Sequence, residues 1–141
     1  MATAKTVKSK KQEPPQDNFL LASFAHFSIL TVLLLGPFSI VIPLIIWLME
    51  RNKPDKSSFV EFQAKQAFFF QLILYLATFA LGVVVAILSI ILIGILLIPF
   101  LLLFPLAGVV YGIIGGVRVS QGENFRYFWV ADFIEAGRKK S

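Results

Sequence analysis

The sequence predicts an all-α, polytopic membrane protein: four helices paired as two hairpins, the first short and broken, with both termini inside and an interfacial helix at the C-terminus. Three observations predict it. All 21 charged side chains fall within residues 1–17, 50–65 and 118–141. The two stretches between those segments, residues 18–49 and 66–117, run for 32 and 52 residues without one Asp, Glu, Lys or Arg. A helix of a soluble domain needs a polar face for water, and 84 of the 141 positions here offer no charge to make one. Composition agrees, at 57% hydrophobic and 15% charged residues with a mean hydropathy of +0.82. Soluble domains carry about 25% charged residues.

Residues 1–17, rich in Lys, Pro and Gln, read as a disordered basic cytoplasmic tail. No small-residue cleavage site follows the apolar run, so a signal peptide is not expected. The membrane domain spans residues 18–122. Its first uncharged stretch, as one straight helix, would be about 48 Å long, which overshoots a hydrocarbon core of about 30 Å. As two full spans it is several residues short. Gly36-Pro37 interrupts it and Pro43 follows. A first helix near 18–35 and a shorter second helix near 38–50 result, the second tilted or re-entrant. Ser58-Phe59-Val60-Glu61 has the form of a capping box and starts the third helix, with Glu61 and Lys65 four apart in the favourable order.

The second uncharged stretch suits two spans, with Gly94, Pro99 and Pro105 clustered near its middle where a turn is needed. Gly108, Gly112 and Gly116 form a doubled GxxxG on the fourth helix, and Thr78, Gly82 and Ala86 repeat the spacing on the third. Lipid gives no hydrophobic drive for helix association, so close approach over small residues supplies the packing. Pairing Ala86 with Gly108, Gly82 with Gly112 and Thr78 with Gly116 sets one antiparallel register, centred on Leu97. The same glycine face is the alternative surface for homo-oligomerisation. Gly122 is a natural stop for the fourth helix. In residues 123–141, Phe125, Trp129 and Phe133 form a stripe, with Arg126, Glu135, Arg138 and Lys139 for the wet side. That pattern predicts a helix lying on the cytoplasmic leaflet, followed by a basic tail. Tyr127, Trp129 and Trp47 fit an aromatic belt.

Lys and Arg set the orientation. The N-terminal tail holds four, the central loop four and the C-terminal segment five, which accounts for all 13. With two hairpins every basic residue is cytoplasmic, and the positive-inside rule is obeyed throughout. A single first span would put basic segments on both sides. The net charge of +5 then meets the anionic cytoplasmic leaflet of the bilayer, and nucleic acid is not an expected partner.

The chemistry available is sparse. There is no cysteine for a disulfide, thiolate or metal site. His26 is the one ionisable group inside an uncharged stretch, a functional candidate by position. The plainer reading favours a neutral imidazole held by one interhelical hydrogen bond near the headgroups. One histidine makes no metal site, and no buried carboxylate joins it for a proton relay. Gln71 is assigned to helix–helix hydrogen bonding. No HExxH, GxSxG, P-loop or pair of intramembrane acids occurs, so neither an enzyme nor a cofactor is expected.

Ser58-Phe59-Val60-Glu61-Phe62-Gln63-Ala64-Lys65-Gln66-Ala67-Phe68-Phe69-Phe70-Gln71 resembles the signature of the Tic-twenty-like family of small membrane proteins. Ala25-His26-Phe27, Pro43-Leu44-Ile45-Ile46-Trp47-Leu48 and Gly122-Glu123-Asn124-Phe125-Arg126-Tyr127 resemble its other segments, in order. The positions that carry the resemblance most directly are His26, Lys65, Gln66, Gln71, Gly122 and Tyr127. Gln63 stands where the family has histidine, Phe69 where it has asparagine and Phe128 where it has proline. The resemblance implies a four-helix membrane protein with both ends on one side. Its relatives include plastid inner-envelope import components and magnetosome membrane proteins, and most bacterial members have no assigned activity. Two functions are therefore expected of a multi-pass protein of the inner (cytoplasmic) membrane. The first is a structural or accessory component assembling with itself or with partner membrane proteins. The alternative is a translocation or channel component like the plastid relatives.

Overall fold

The computed structural model describes residues 15–139, and among these it is helical without a strand. Helices α1 (Gln16–Phe27), α2 (Val32–Leu35), α3 (Val41–Arg51), α4 (Ser58–Ser89), α5 (Ile98–Ser120) and α6 (Val130–Arg138) are joined in part by 3-10 segments at Ser28–Thr31, Gly36–Ile40 and Ile93–Leu97. Among the described residues, three helical stretches are long and apolar enough to cross a membrane: Gln16–Arg51, Ser58–Ser89 and Ile93–Ser120. The expected tail over residues 1–17 lies outside the described residues, except that Gln16 and Asp17 already belong to α1. Lys140 and Ser141 also lie outside them.

The first apolar stretch doubles back at Gly36. Its φ of +57° and ψ of −140° suit a residue without Cβ, and Pro37, which has no N–H to lose, follows it. Ala25 from α1 forms one buried cluster with Ala64 and Ala67 of α4, and Ile46 and Trp47 from α3 pack against it. In a straight helix residues 25 and 46 would stand about 30 Å apart. The 3-10 segment before the bend has a local cause. Ser28 and Thr31 donate their hydroxyls to the carbonyls of Ala25 and Ser28, three residues back, at 2.7 Å each.

The link from α3 to α4 is organised by Glu50, which is only 3% exposed. Its carboxylate accepts from Lys53 Nζ at 2.7 Å and from the Ser57 N–H at 2.6 Å. Ser57, in extended conformation, then caps α4 by accepting from Val60 N at 3.4 Å. The cap is thus one residue before the expected Ser58, because Glu50 already fixes the Ser57 backbone. Glu61 pairs with Lys56 at 3.3 Å rather than with Lys65, whose ammonium instead sits 5.4 Å from the centroid of the Trp47 ring.

The second hairpin turns earlier than the sequence suggests. Residues 90–92 reverse the chain, with Leu92 at a φ of +66°, and Leu97 lies beyond the turn. Gly94 packs back on α4 so closely that a Cβ there would meet Val85 O and Ser89 N at 2.3 Å. It serves as a contact instead of a turn, and the register shifts accordingly. Gly82 lies beside Leu101, and Gly108 lies against Leu74. The expected pairing of Thr78, Gly82 and Ala86 with the three glycines therefore does not form. Ala86 is exposed, and the buried Thr78 hydroxyl has no hydrogen-bond partner among the described residues.

The glycine face of α5 receives large side chains in place of small ones. Gly112 faces Ile29 and Gly116 faces the Phe27 ring. Close approach over glycine holds, but the partner of Gly112 and Gly116 is the α1 stretch. All three glycines are buried within the chain. The helix ends in a Schellman motif: Gly122 N–H reaches Val119 O and Glu123 N–H reaches Arg118 O, both at 3.0 Å, with Gly122 at a φ of +83°.

The expected aromatic stripe divides. Val130, Ala131 and Ile134 turn α6 inwards, while Trp129 and Phe133 are about three-quarters exposed. Phe125 is buried, because residues 123–129 form a loop that enters the bundle before α6 begins.

Candidate functional site: a buried polar and aromatic core

That loop meets α1 and α4 at the end of the bundle where the charged residues gather. Gln63 and Gln66, three apart on α4, share one helix face and are both fully buried. The Gln66 amide serves the loop backbone as another strand would: its Nε2 donates to Phe125 O and its Oε1 accepts from Tyr127 N–H, both at 3.1 Å. An extended segment has no internal partner for these groups, and burying them unpaired is costly. Gln63 Nε2 donates to Phe125 O at 3.1 Å and to Asn124 Oδ1 at 2.7 Å.

These two donations orient the Gln63 amide and leave its Oε1 to face His26 Nε2 at 3.1 Å. A carbonyl oxygen only accepts, so Nε2 carries the imidazole proton. Nδ1 then accepts from the Tyr127 hydroxyl at 2.9 Å. His26 is fully buried and neutral in this arrangement, with both ring nitrogens bonded where one bond was expected. The Tyr127 ring stacks on Phe70 at 4.0 Å and 6° and meets Tyr111 and Phe125 edge-on at 5.2 and 5.0 Å. Burial raises the Tyr127 phenol well above its ordinary value, so the hydroxyl stays protonated as the bond to His26 requires. Gly115 lets the rings close: a Cβ there would lie 2.9 Å from the Phe125 ring and 3.1 Å from His26 Nδ1.

Of the residues singled out from sequence, His26, Gln66 and Tyr127 come together, and Gly122 delivers the loop to them. Tyr127 is 2% exposed, which corrects its placement in an interfacial belt. Gln71 sits apart, donating to Ser28 Oγ at 2.9 Å. Lys65 faces away, beside Trp47. Trp47, also assigned to the belt, is half-buried against Phe68 and Phe69. Gln63, Asn124, Phe70 and Tyr111 were not singled out. The three glutamines at 63, 66 and 71 on one uncharged face were the available signal, since buried amides need partners.

Outside this core, α6 is clasped by Arg126, which bonds Glu135 at 2.5 Å and Asp132 at 2.9 Å. A groove of about 250 Å³ lies between α3, α4 and α6, with Trp47, Arg51, Glu61, Lys65, Glu135 and Arg138 among its lining. No group of three or more metal-ligating side chains forms among the described residues. The core joins neutral amides, one imidazole and one phenol whose hydrogen-bonding groups are turned on one another, which suits cohesion more than proton or group transfer.

The model of one family, described as the magnetosome magnetite crystal formation protein family, matches residues 17–134. The match takes in α1 to α5, the 123–129 loop and most of α6. No curated protein and no solved structure matches the chain.

Proposed function

From the premise that the chain belongs to the magnetosome magnetite crystal formation protein family, we propose that it is a non-catalytic structural or accessory protein of the membrane in which such crystals form. It assembles there with itself or with partner membrane proteins and binds no cofactor. The observation that supports this reading most is the use made of its one imidazole. His26 is held on both nitrogens by Tyr127 and Gln63, leaving no free face for substrate. The family description names crystal formation rather than translocation, so the accessory reading gains the support and the channel reading does not.

The proposed topology is four membrane-embedded helices with both ends on the cytoplasmic side. Its basis remains the distribution of the 13 basic residues. The chain has no cysteine, which makes single-cysteine labelling clean. A membrane-impermeant maleimide applied to intact cells should leave Asp55→Cys and Gly137→Cys unlabelled and react with both after permeabilisation. Labelling of either in intact cells overturns the orientation. The functional half is tested by deleting the gene in its host and imaging the crystals. An accessory role predicts that crystals still form with altered size or shape, whereas unchanged crystals would sink the idea. Crosslinking in native membranes should capture oligomers or a partner, and a monomer at every concentration contradicts assembly.

A further inference from the structure

The two hairpins differ in depth. Ser39, at the bend of the first, bonds the hydroxyl of Tyr75 on α4. Tyr75 stands nine residues, about 14 Å, past Gln66, where the uncharged part of α4 begins, and 14 residues, about 21 Å, short of its end at Ser89. The first hairpin therefore stops near the middle of a hydrocarbon core about 30 Å thick. Beyond that level α4 and α5 continue alone. Among residues 78–107 only Val85 and Gly94 are buried, and the exposed surface is apolar throughout.

The bend itself is fitted to an apolar depth. Leu33 and Leu34 are almost fully exposed and Phe38 largely so, with no polar side chain left over, since Ser39 is bonded to Tyr75. The backbone stays helical on both sides of Gly36, whose N–H still bonds Val32 O. Pro37 has no N–H to leave unpaired. A reversal with so few open backbone groups is tolerable in hydrocarbon, where an ordinary loop is not.

We propose that the first hairpin enters only the leaflet on the charged side, making the chain a membrane wedge that favours bilayers convex towards that side. It is four helices wide in one leaflet and two in the other, and each helix is about 10 Å across. Phe128, Trp129 and Phe133, all exposed at the charged end, widen the broad end further by seating in the headgroup layer. The ligand is the lipid bilayer itself, selected by curvature. This inference rests on the membrane part of the proposed function and needs no assembly.

The test uses the full chain in liposomes. Phe38→Cys and Leu96→Cys alter exposed side chains, one beside the bend of the first hairpin and one just past the turn of the second, so neither removes a buried contact. Carrying a nitroxide label, Phe38→Cys should respond to oxygen and not to a water-soluble nickel chelate from either side. Leu96→Cys should respond to the chelate from the far side. If both respond from the far side, the first hairpin spans and the wedge is wrong while the multi-pass reading stands. If Leu96→Cys does not, the multi-pass reading falls and the wedge with it. In mixed vesicles of about 50 and about 400 nm, molecules with the charged face outward should be about two-fold denser per lipid in the small ones. Equal density in both overturns the curvature preference.

Discussion

At the scale of single residues, the loop–bundle junction depends on two amides and a phenol. Gln66→Leu keeps the volume roughly constant but leaves Tyr127 N–H without its acceptor and removes one of two donors to Phe125 O. An orphaned buried group costs about 1–3 kcal/mol, and thermal unfolding in detergent should show a loss of that order. Tyr127→Phe keeps the Phe70 stack and breaks one hydrogen bond where Gln66→Leu breaks two, leaving only the buried His26 Nδ1 without its donor, so its cost should fall at the lower end of that range, about 1 kcal/mol. If Tyr127→Phe proves the worse of the two, the ranking of amide over phenol is wrong. Sequence alone marked His26, Gln66 and Tyr127 as worth attention but could not join them. Tyr127 lies 61 positions from Gln66 and 101 from His26, and no local periodicity reports a loop that turns inwards. For Tyr127 the belt pattern was misleading, because an amphipathic ring suits an interface and a polar core equally well.

At the scale of elements, caps were legible to within a residue, and the second turn and the registers were not. Gly122 read correctly as the stop of α5, since only a residue tolerant of a φ of +83° closes a Schellman motif easily. The turn of the second hairpin was misplaced because Gly94 has two readings in sequence, a reversal or a close contact, and only the three-dimensional path chooses. Two alanine substitutions should separate these roles of glycine. Gly122→Ala strains the left-handed residue and sets a Cβ 3.3 Å from Phe19, for a loss of about 1 kcal/mol. Gly137→Ala, inside α6 with open space around it, should stabilise by about 0.5–1 kcal/mol. Equal unfolding temperatures for the two variants would refute the distinction. The seating of α6 also depends on pH. The Arg126 guanidinium, with which it is hydrogen-bonded, holds the Glu135 carboxyl below its ordinary 4.5. A carboxylate with a lowered folded pKa contributes above its unfolded value and loses that contribution as pH falls through the folded one. Amide-exchange protection in α6 should therefore be constant above pH 4.5 and decline below it, after correction for the intrinsic rate. Arg126→Gln should flatten this dependence. Both partners are well exposed, so the effect is local fraying and not unfolding.

At the scale of the whole molecule, the charge map and the span arithmetic carried most of the fold. Two uncharged stretches became two folded-back apolar units, and the shortness of the first was visible because 32 residues cannot make two full spans. Which helix each small-residue face would meet was not visible. GxxxG states that a backbone is approached closely without saying by what. Here Ile29 and Phe27 pack over Gly112 and Gly116, so the α5 glycines tie the shallow hairpin to the deep one. This gives the glycine face a test that distinguishes it from an oligomer interface. Gly112→Leu must displace Ile29, whose side chain already lies 3.0 Å from where a Cβ would stand. Overpacking of this kind costs about 1–3 kcal/mol, and the bulk of leucine places this case at the upper end. The expected outcome is a less stable monomer with increased protease sensitivity in the first hairpin and little change along residues 78–107, which that hairpin does not cover. Compensation should be possible: Ile29→Ala in the same chain makes room and should restore part of the loss. If Gly112→Leu leaves the monomer intact and abolishes only higher oligomers, the glycines serve contacts between chains. The two hairpins would then be held together mainly by the polar core around His26.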